Sequence, residues 1–377
     1  MKIIFLCGCL EPGRDGVGDY CRTLAYTMIR KGLKVALLSY NDFYVQEVEQ
    51  MDPKDGGVTP SILRLPSTMR HDKKLTFGIQ WINHFSPDII SIQYVPYSFN
   101  KRGLPFGLSN EFAKLTSGTS THVMFHEIWQ GESKESGVKD IILGYLQRKI
   151  SISIVSSTKA KWVSTTNDYY RNSILKAGAE NVFKIPVFSN MPLGKIKESS
   201  VFDLLPNEIT EHRSDYIIAS FFGGLLFHHQ IFESLIKFAN DVRKQTGKKL
   251  IITHIGRSKG VENQFKQVKL KTGIETFVLG EFSEQDVADY LIKVDLGLTN
   301  YPKVLFEKSG SVAALLYNEC PVVFLKEGFE NDNRKISEIT ELKDLDNVDS
   351  FYTQAGKYSV KYGVEAAYDL YTKMFNN

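Results

Sequence analysis

The sequence predicts an α/β protein of two consecutive domains, each a parallel sheet covered by helices. Three observations carry this. Short runs rich in Ile, Val and Phe alternate with longer amphipathic stretches, the pattern of strands buried on both faces and of the helices that cover them. At 377 residues the chain exceeds one ordinary domain. Between Asn190 and Tyr216 the composition turns to Pro192, Gly194, Pro206 and mixed charge, and beyond it the same alternation begins again.

Taken in order, the run Ile3-Ile4-Phe5-Leu6 makes Lys2–Cys7 the first strand. Gly16–Lys31 follows as a helix, with Tyr20, Leu24 and Met28 at helical spacing, and Gly32 ends it. Further strands are expected at Lys34–Tyr40, Ser61–Leu65, Ile89–Val95, His122–Glu127, Lys161–Thr165 and Phe183–Phe188. Helices fall between them at Leu75–His84, around Ser109–Leu115, at Val138–Ile152 and at Asp168–Lys176. The second series reads Tyr216–Phe222, Lys249–Ile255, Thr276–Leu279, Asp295–Thr299 and Val322–Leu325 as strands. Its helices are Gln230–Val242, Val261–Lys271, Glu284–Ile292 and the short apolar Val312–Leu316. A last amphipathic helix covers Gly363–Phe375. The expected division is 1–192, a linker at 193–215, 216–360, and a terminal helix at 361–377.

Composition narrows the function classes. A net charge of +3 argues against a general nucleic-acid binder. The charge is uneven: residues 1–192 hold 23 Lys and Arg against 17 Asp and Glu, a net +6, and the remainder is −3. A basic first half suits an anionic membrane or acceptor, and equally a set of solvated lysines. Cys7, Cys9, Cys21 and Cys320 form neither an ordinary disulfide ladder nor a zinc pattern, so reduced thiols and a cytoplasmic setting are expected. The N-terminal apolar run lacks a signal-peptide cleavage pattern, and no apolar segment is long enough to span a bilayer.

Ligands of open parallel sheets bind beyond the carboxyl ends of strands, at helix N-termini. Four stretches sit there. Gly16-Val17-Gly18-Asp19 opens the first helix; its glycines allow close backbone approach to a ligand, and a plain tight turn would use them too. His126-Glu127 ends a strand, where a histidine can bind a sugar hydroxyl, serve in proton chemistry, or simply be hydrogen-bonded. Gly223-Gly224 follows the first strand of the second half. Finally, Glu307-Lys308-Ser309-Gly310-Ser311 feeds the small apolar helix, whose free N–H groups and dipole suit a phosphate.

Together these pieces resemble the family 4 glycosyltransferases of the GT-B fold, over nearly the whole chain. Asp15–Ala25 with Lys31–Val35 is similar to that family's first loop, helix and second strand. Ser86–Tyr94 resembles its Pro-Asp-Val-Val-His strand, and His126-Glu127 falls where it has His-Asp or His-Glu. Ser164–Asp168 with Val182–Val187 resembles the end of its N-terminal domain, and 301–323 its glutamate loop and Pro-Val-Val strand. Two departures stand out. Gly224 and His229 occupy the places of the family's diphosphate-gripping Arg and Lys, and Leu315 that of its second Glu.

The resemblance implies two Rossmann-like domains facing across a cleft, with the terminal helix crossing back to the first. The second would bind a nucleotide-sugar donor, and the first a glycan, lipid-linked or small-molecule acceptor. Transfer would proceed with retention and need neither cofactor nor metal. His126 would touch the transferred sugar and Glu307 its hydroxyls. The base would lie near Gly280-Glu281-Phe282. With the usual cations absent, phosphate charge would fall to Ser309, Gly310 and Ser311, with Gly223, Gly224, and Lys303, Lys308 or Arg257. The Gly16–Asp19 loop would serve acceptor or diphosphate. Tyr94, Tyr97 and Trp129 offer an aromatic wall for a sugar or ordinary packing. Lys73, Lys74, Lys101 and Arg102 offer a peripheral membrane contact. A nucleotide-sugar epimerase of the same fold and a non-catalytic binder are the rival readings.

Overall fold

The computed structural model describes residues 1–52, 58–132, 136–195, 199–225, 231–325, 339–341 and 359–377. They form two compact units: Met1–Pro186 with Val364–Asn377, and Val187–Gly363.

Unit 1 carries eight strands: β1 (Lys2–Cys7), β2 (Lys34–Asp42), β3 (Glu49–Met51), β4 (Ser61–Pro66), β5 (Ile89–Tyr94), β6 (Ser120–Phe125), β7 (Trp162–Thr165) and β8 (Val182–Lys184). Their order is β3-β4-β2-β1-β5-β6-β7-β8, and every pair is parallel except the edge pair β3/β4. Ile3, Ile4, Phe5 and Leu6 are wholly buried, which is why the first strand is apolar without alternation. The helices are α1 (Gly16–Arg30), α2 (His71–Phe85), α3 (Pro96–Phe99), α4 (Leu108–Leu115), α5 (Val138–Ser157) and α6 (Asp168–Lys176). The terminal helix, Val364–Phe375, packs against α1 inside this unit.

β2 runs two residues past its expected end because Asn41 and Asp42 are buried and satisfied. Asp42 takes a bidentate contact from Arg64 (2.8 and 3.1 Å) and the Leu10 and Tyr44 N–H groups. These bonds hold its carboxyl below the usual range against the opposing effect of burial. Arg64 also reaches Glu11 and Glu49, tying the β1 loop and β3 to the sheet.

Unit 2 contains β9 (Tyr216–Phe222), β10 (Lys249–Ile255), β11 (Glu275–Gly280), β12 (Leu296–Thr299), β13 (Val322–Phe324) and β14 (Ile339–Glu341). All pairs are parallel, in the order β11-β10-β9-β12-β13-β14. Its helices are α7 (Asn207–Glu211), α8 (Ile231–Thr246), α9 (Val261–Thr272), α10 (Glu284–Leu291) and α11 (Gly310–Tyr317). Alternate residues of β9 feed opposite cores. Ile217, Ala219 and Phe221 pack with α8 and α9, and Tyr216 and Ile218 with α10 and α11. Residues 199–215, within the expected linker, hold a 3₁₀ turn and α7. They bury Val201, Phe202, Leu205 and Ile209 in the second of these cores. Among the described residues no helix is long and apolar enough to cross a membrane.

Candidate functional site

Each sheet has one place where strand order reverses: between β1 and β5 in unit 1, and between β9 and β12 in unit 2. Loops diverge there and leave a crevice at the carboxyl edge, the usual ligand position of such sheets. Of the residues singled out by sequence, Gly16–Asp19, Gly223–Gly224 and 303–311 follow the strands that border these two places, whereas His126 follows β6, Arg257 follows β10, and Gly280 and Phe282 lie at and beyond the end of β11.

In unit 2 the turn after β9 meets the start of α11. Gly223 has φ +79°, and a Cβ there would stand 2.8 Å from Ser311 Oγ. Its left-handed conformation favours glycine, and a side chain there would have to turn the Ser311 hydroxyl away. The turn is pinned from behind by His254, whose Nε2–H donates to the Gly223 carbonyl at 2.7 Å. Burial holds the His254 pKa below its ordinary value, with the Gly223 contact opposing. Gly256, at φ +97°, lies against Gly223 N, and its own N–H donates to the Gly280 carbonyl at 2.7 Å. Three strand ends are thus linked to one another through backbone, and the first lies against Ser311 at the start of α11. Gly224 is exposed, with nothing within 4 Å of a Cβ built on it. His229 lies outside the described residues.

The stretch before α11 is a 3₁₀ segment, Lys303–Lys308, rather than an open loop. Ser309 caps α11: its Oγ accepts from Val312 N–H and its carbonyl from Ala313 N–H. The N–H groups of Gly310 and Ser311 are then the two at the helix start with no acceptor inside the helix. Glu307 is buried. Its carbonyl accepts the Val187 N–H at 2.8 Å, and its carboxylate stands 3.4 Å from Lys361 Nζ. Lys303 is buried and Lys308 half-buried. Arg257 is exposed and engages Glu281 through both Nε and Nη2. Phe282, next in sequence, is partly exposed beyond Gly280. Leu315 is core, packed where a Cβ on Gly297 would meet its side chain at 2.6 Å.

In unit 1, Asp15 caps α1 by accepting the Gly18 N–H at 2.7 Å. Gly18 is obligatory, since a Cβ would fall 2.6 Å from the Cys9 carbonyl. Asp19 accepts the Gly13 N–H, Val17 is half-buried, and Gly16 is exposed at the first helical position. This loop's N–H groups are therefore partly taken by its own carboxylates. Burial raises the pKa of both Asp15 and Asp19.

His126 follows β6, with its ring edge-on to Tyr20 at 4.9 Å. Its Nε2–H donates to Gln93 Oε1 at 2.7 Å. From there one chain of hydrogen bonds runs inward. Gln93 Nε2 donates to Ser91 Oγ, Ser91 to His122 Nδ1, His122 Nε2–H to Ser164 Oγ, and Ser164 to Met124 Sδ. In this direction the chain runs through a neutral His122 with its proton on Nε2, and it requires a proton on Nε2 of His126. Burial, with His126 next to it, lowers the His122 pKa to about 3. Tyr371 of the terminal helix accepts from Tyr20 and, at 3.5 Å, from Gln93. Sequence reading missed Gln93, His122 and Tyr371; the apposition of β5 and β6 and the packing of the terminal helix bring them together.

One open alternative is decided toward packing and one expectation is corrected. Tyr94 and Trp129 are core residues, and Tyr94 stacks on Phe99, so neither walls a sugar site. Tyr97, half-buried, takes a hydrogen bond from Gln130. Lys74 is buried and donates to Asn41 Oδ1 and the Ser67 carbonyl, so it cannot touch a membrane; Lys73, Lys101 and Arg102 are exposed. Lys74 floors a pocket of about 490 Å³ at the ends of β2 and β4, which Asn100, Phe106 and Glu111 also line.

No protein-family model and no curated protein matches this sequence. Solved structures do. The Anabaena protein Alr3699/HepE, in complex with UDP and glucose, aligns over 100% of this chain and 99% of its own, with TM-score 0.59 and 15% identity. An E. coli trehalose-6-phosphate structure bound with UDP-2-fluoro glucose aligns over 99% and 98%, with TM-score 0.60 and 10% identity. A putative UDP-N-acetylglucosamine 2-epimerase from Listeria monocytogenes aligns over 97% and 93%, with TM-score 0.51 and 11% identity. The fold is therefore GT-B: two α/β units built on parallel sheets.

Proposed function

We propose that this chain is a glycosyltransferase that moves a sugar from a nucleotide-sugar donor to a hydroxyl acceptor, with retention of configuration. The observation that carries this is the junction in unit 2, where the Gly223 turn lies against Ser311 at the start of α11. A diphosphate there would meet the Gly310 and Ser311 N–H groups, their helix dipole and two serine hydroxyls. The structural neighbours add support, since those with UDP or a UDP-sugar share this fold.

The chemistry follows from where charge develops. As the glycosidic bond breaks, negative charge gathers on the leaving diphosphate, and preorganised donors at α11 stabilise it. The fixed cations of the resemblance are absent at Gly224 and Leu315 is core, so backbone and hydroxyl donors carry this load here. Lys303 and Lys308 sit on the segment leading to the helix and add positive charge. Glu307, held beside Lys361, serves the donor sugar's hydroxyls. Phe282 and the Gly280 turn offer a place for the base.

Unit 1 would take the acceptor. The Gly16–Asp19 loop suits a hydroxyl ligand better than a diphosphate, because Asp15 already takes the Gly18 N–H and Asp19 places a second carboxylate beside it. His126, its Nε2–H held by Gln93, serves the transferred sugar or the incoming hydroxyl. The test is turnover of UDP-sugars followed by NMR, with and without glycan and lipid-linked acceptors. Acceptor-dependent release of UDP with a new axial-type linkage supports the reading. Isomerised sugar from donor alone would make the protein an epimerase, and absence of turnover with every acceptor would make it a binder.

A further inference from the structure

We infer that the outer face of α5 docks unit 1 onto an anionic lipid surface. A surface helix ordinarily turns its apolar residues inward and its polar ones outward. α5 reverses this over its first half. Its buried side is Gly144, Gln147, Ile150, Ser151 and Ile154. Its outer side presents Val138, Ile141, Ile142 and Tyr145, which are 73%, 53%, 59% and 50% exposed. Their spacing of three and four residues makes one continuous stripe, opposite the buried one.

Sterics fix which face of α5 turns inward. A Cβ on Gly144 would stand 1.9 Å from the Gln130 carbonyl oxygen, and a Cβ on Gly131 would stand 2.7 Å from the Asp140 carbonyl. Backbone therefore meets backbone on the inner side, and only the glycine-bearing face fits there. Gln147 also accepts the Gln130 N–H. The apolar stripe is left outside by a locked register.

Charge chooses the occupant. Arg148 and Lys149 lie over the Tyr145 ring at 5.6 and 5.5 Å, and Lys139 is exposed in the first turn. The one acid on this stretch, Asp140, caps the helix by accepting the Gly137 N–H. An apolar stripe edged with cations matches acyl chains beneath anionic headgroups. A second copy of the chain would bring the same cations against each other across a two-fold contact. The lipid contact stands whether or not the chain transfers a sugar.

The experiment is flotation with vesicles of mixed phosphatidylglycerol and phosphatidylcholine, against phosphatidylcholine alone, together with light scattering for mass. Wild type is expected to float with the anionic vesicles, less so at high salt. Ile141→Ser/Ile142→Ser, at exposed positions, should keep the wild-type circular dichroism and melting curve yet stay at the bottom. Arg148→Ala and Lys149→Ala should each weaken binding about fivefold. The inference is overturned if wild type does not float, or if the double variant floats as well as wild type. A dimer that the double variant dissociates, without flotation of either, would also overturn it and assign the face to self-association.

Discussion

The two strand-order reversals solve the same problem in different materials. In unit 1 the edge is set by side chains, with five buried polar groups in series from His126 to Ser164 and Met124. In unit 2 it is set by backbone, with Gly223, Gly256 and Gly280 in left-handed conformations and one histidine behind them. A side-chain chain fixes one tautomer and one hydroxyl direction, which suits a group that must handle a proton or a hydroxyl. A backbone cradle bonded within itself lets the start of α11, with the Gly310 and Ser311 N–H groups, come close, which suits an anion. The contrast argues for acceptor chemistry in unit 1 and diphosphate binding in unit 2.

The largest expected effect tests the side-chain edge through pH. His122 is neutral in the folded protein down to about pH 3, whereas unfolded it gains a proton near its ordinary 6.5. Between those values the unfolded state binds more protons, so stability falls as pH is lowered through the window. The span corresponds to roughly 5 kcal/mol at most. Denaturant unfolding from pH 7 to pH 4 should show this slope, and His122→Gln should flatten it. An equal slope in that variant would place the acid sensitivity elsewhere.

Next comes the reacting end of the same chain. His126→Ala is expected to lower kcat about 100-fold, the range for loss of a positioned acid–base or polar group, with the melting temperature nearly kept. Gln93→Leu removes the partner of Nε2–H while leaving the ring, and should lower kcat less and shift its pH profile. If Gln93→Leu lowers only stability, the chain is structural and His126 stands alone.

The smallest effect belongs to Arg257. It is exposed and already paired with Glu281, and such ion pairs contribute about 0–1 kcal/mol. Arg257→Ala should therefore change nucleoside diphosphate affinity by less than about fivefold. A larger loss would show that the cation leaves Glu281 for the ligand, and that unit 2 is less purely a backbone site.

Strands and helices were legible because parallel sheets demand apolar runs, and the boundaries of β1, β9 and β10 follow the sequence to the residue. The glycine turns were legible too, since Gly18 and Gly223 have steric reasons to be glycine. What could not be read was pairing across strand order. Asp42 with Arg64, His122 between Ser91 and Ser164, and Glu307 with Lys361 lie 22 to 54 residues apart. β3 escaped notice for another reason: its three residues are exposed and carry no apolar pattern. Lys74 reads as a surface charge in sequence, yet α2 folds it beneath the sheet edge onto Asn41.

The central claim is that unit 2 holds a diphosphate through backbone N–H groups at α11, and Gly310→Pro tests it most directly. Position 310 is the first helical residue, where proline fits, and Ser309 before it is extended, as proline requires. No atom lies within 4 Å of a Cβ there. The substitution thus removes one N–H and little else. Calorimetric titration with UDP and other nucleoside diphosphates should show wild-type binding. The variant should bind about 10- to 100-fold more weakly, the worth of a hydrogen bond to a charged group, at an unchanged melting temperature. Equal affinity in the two proteins would contradict the account.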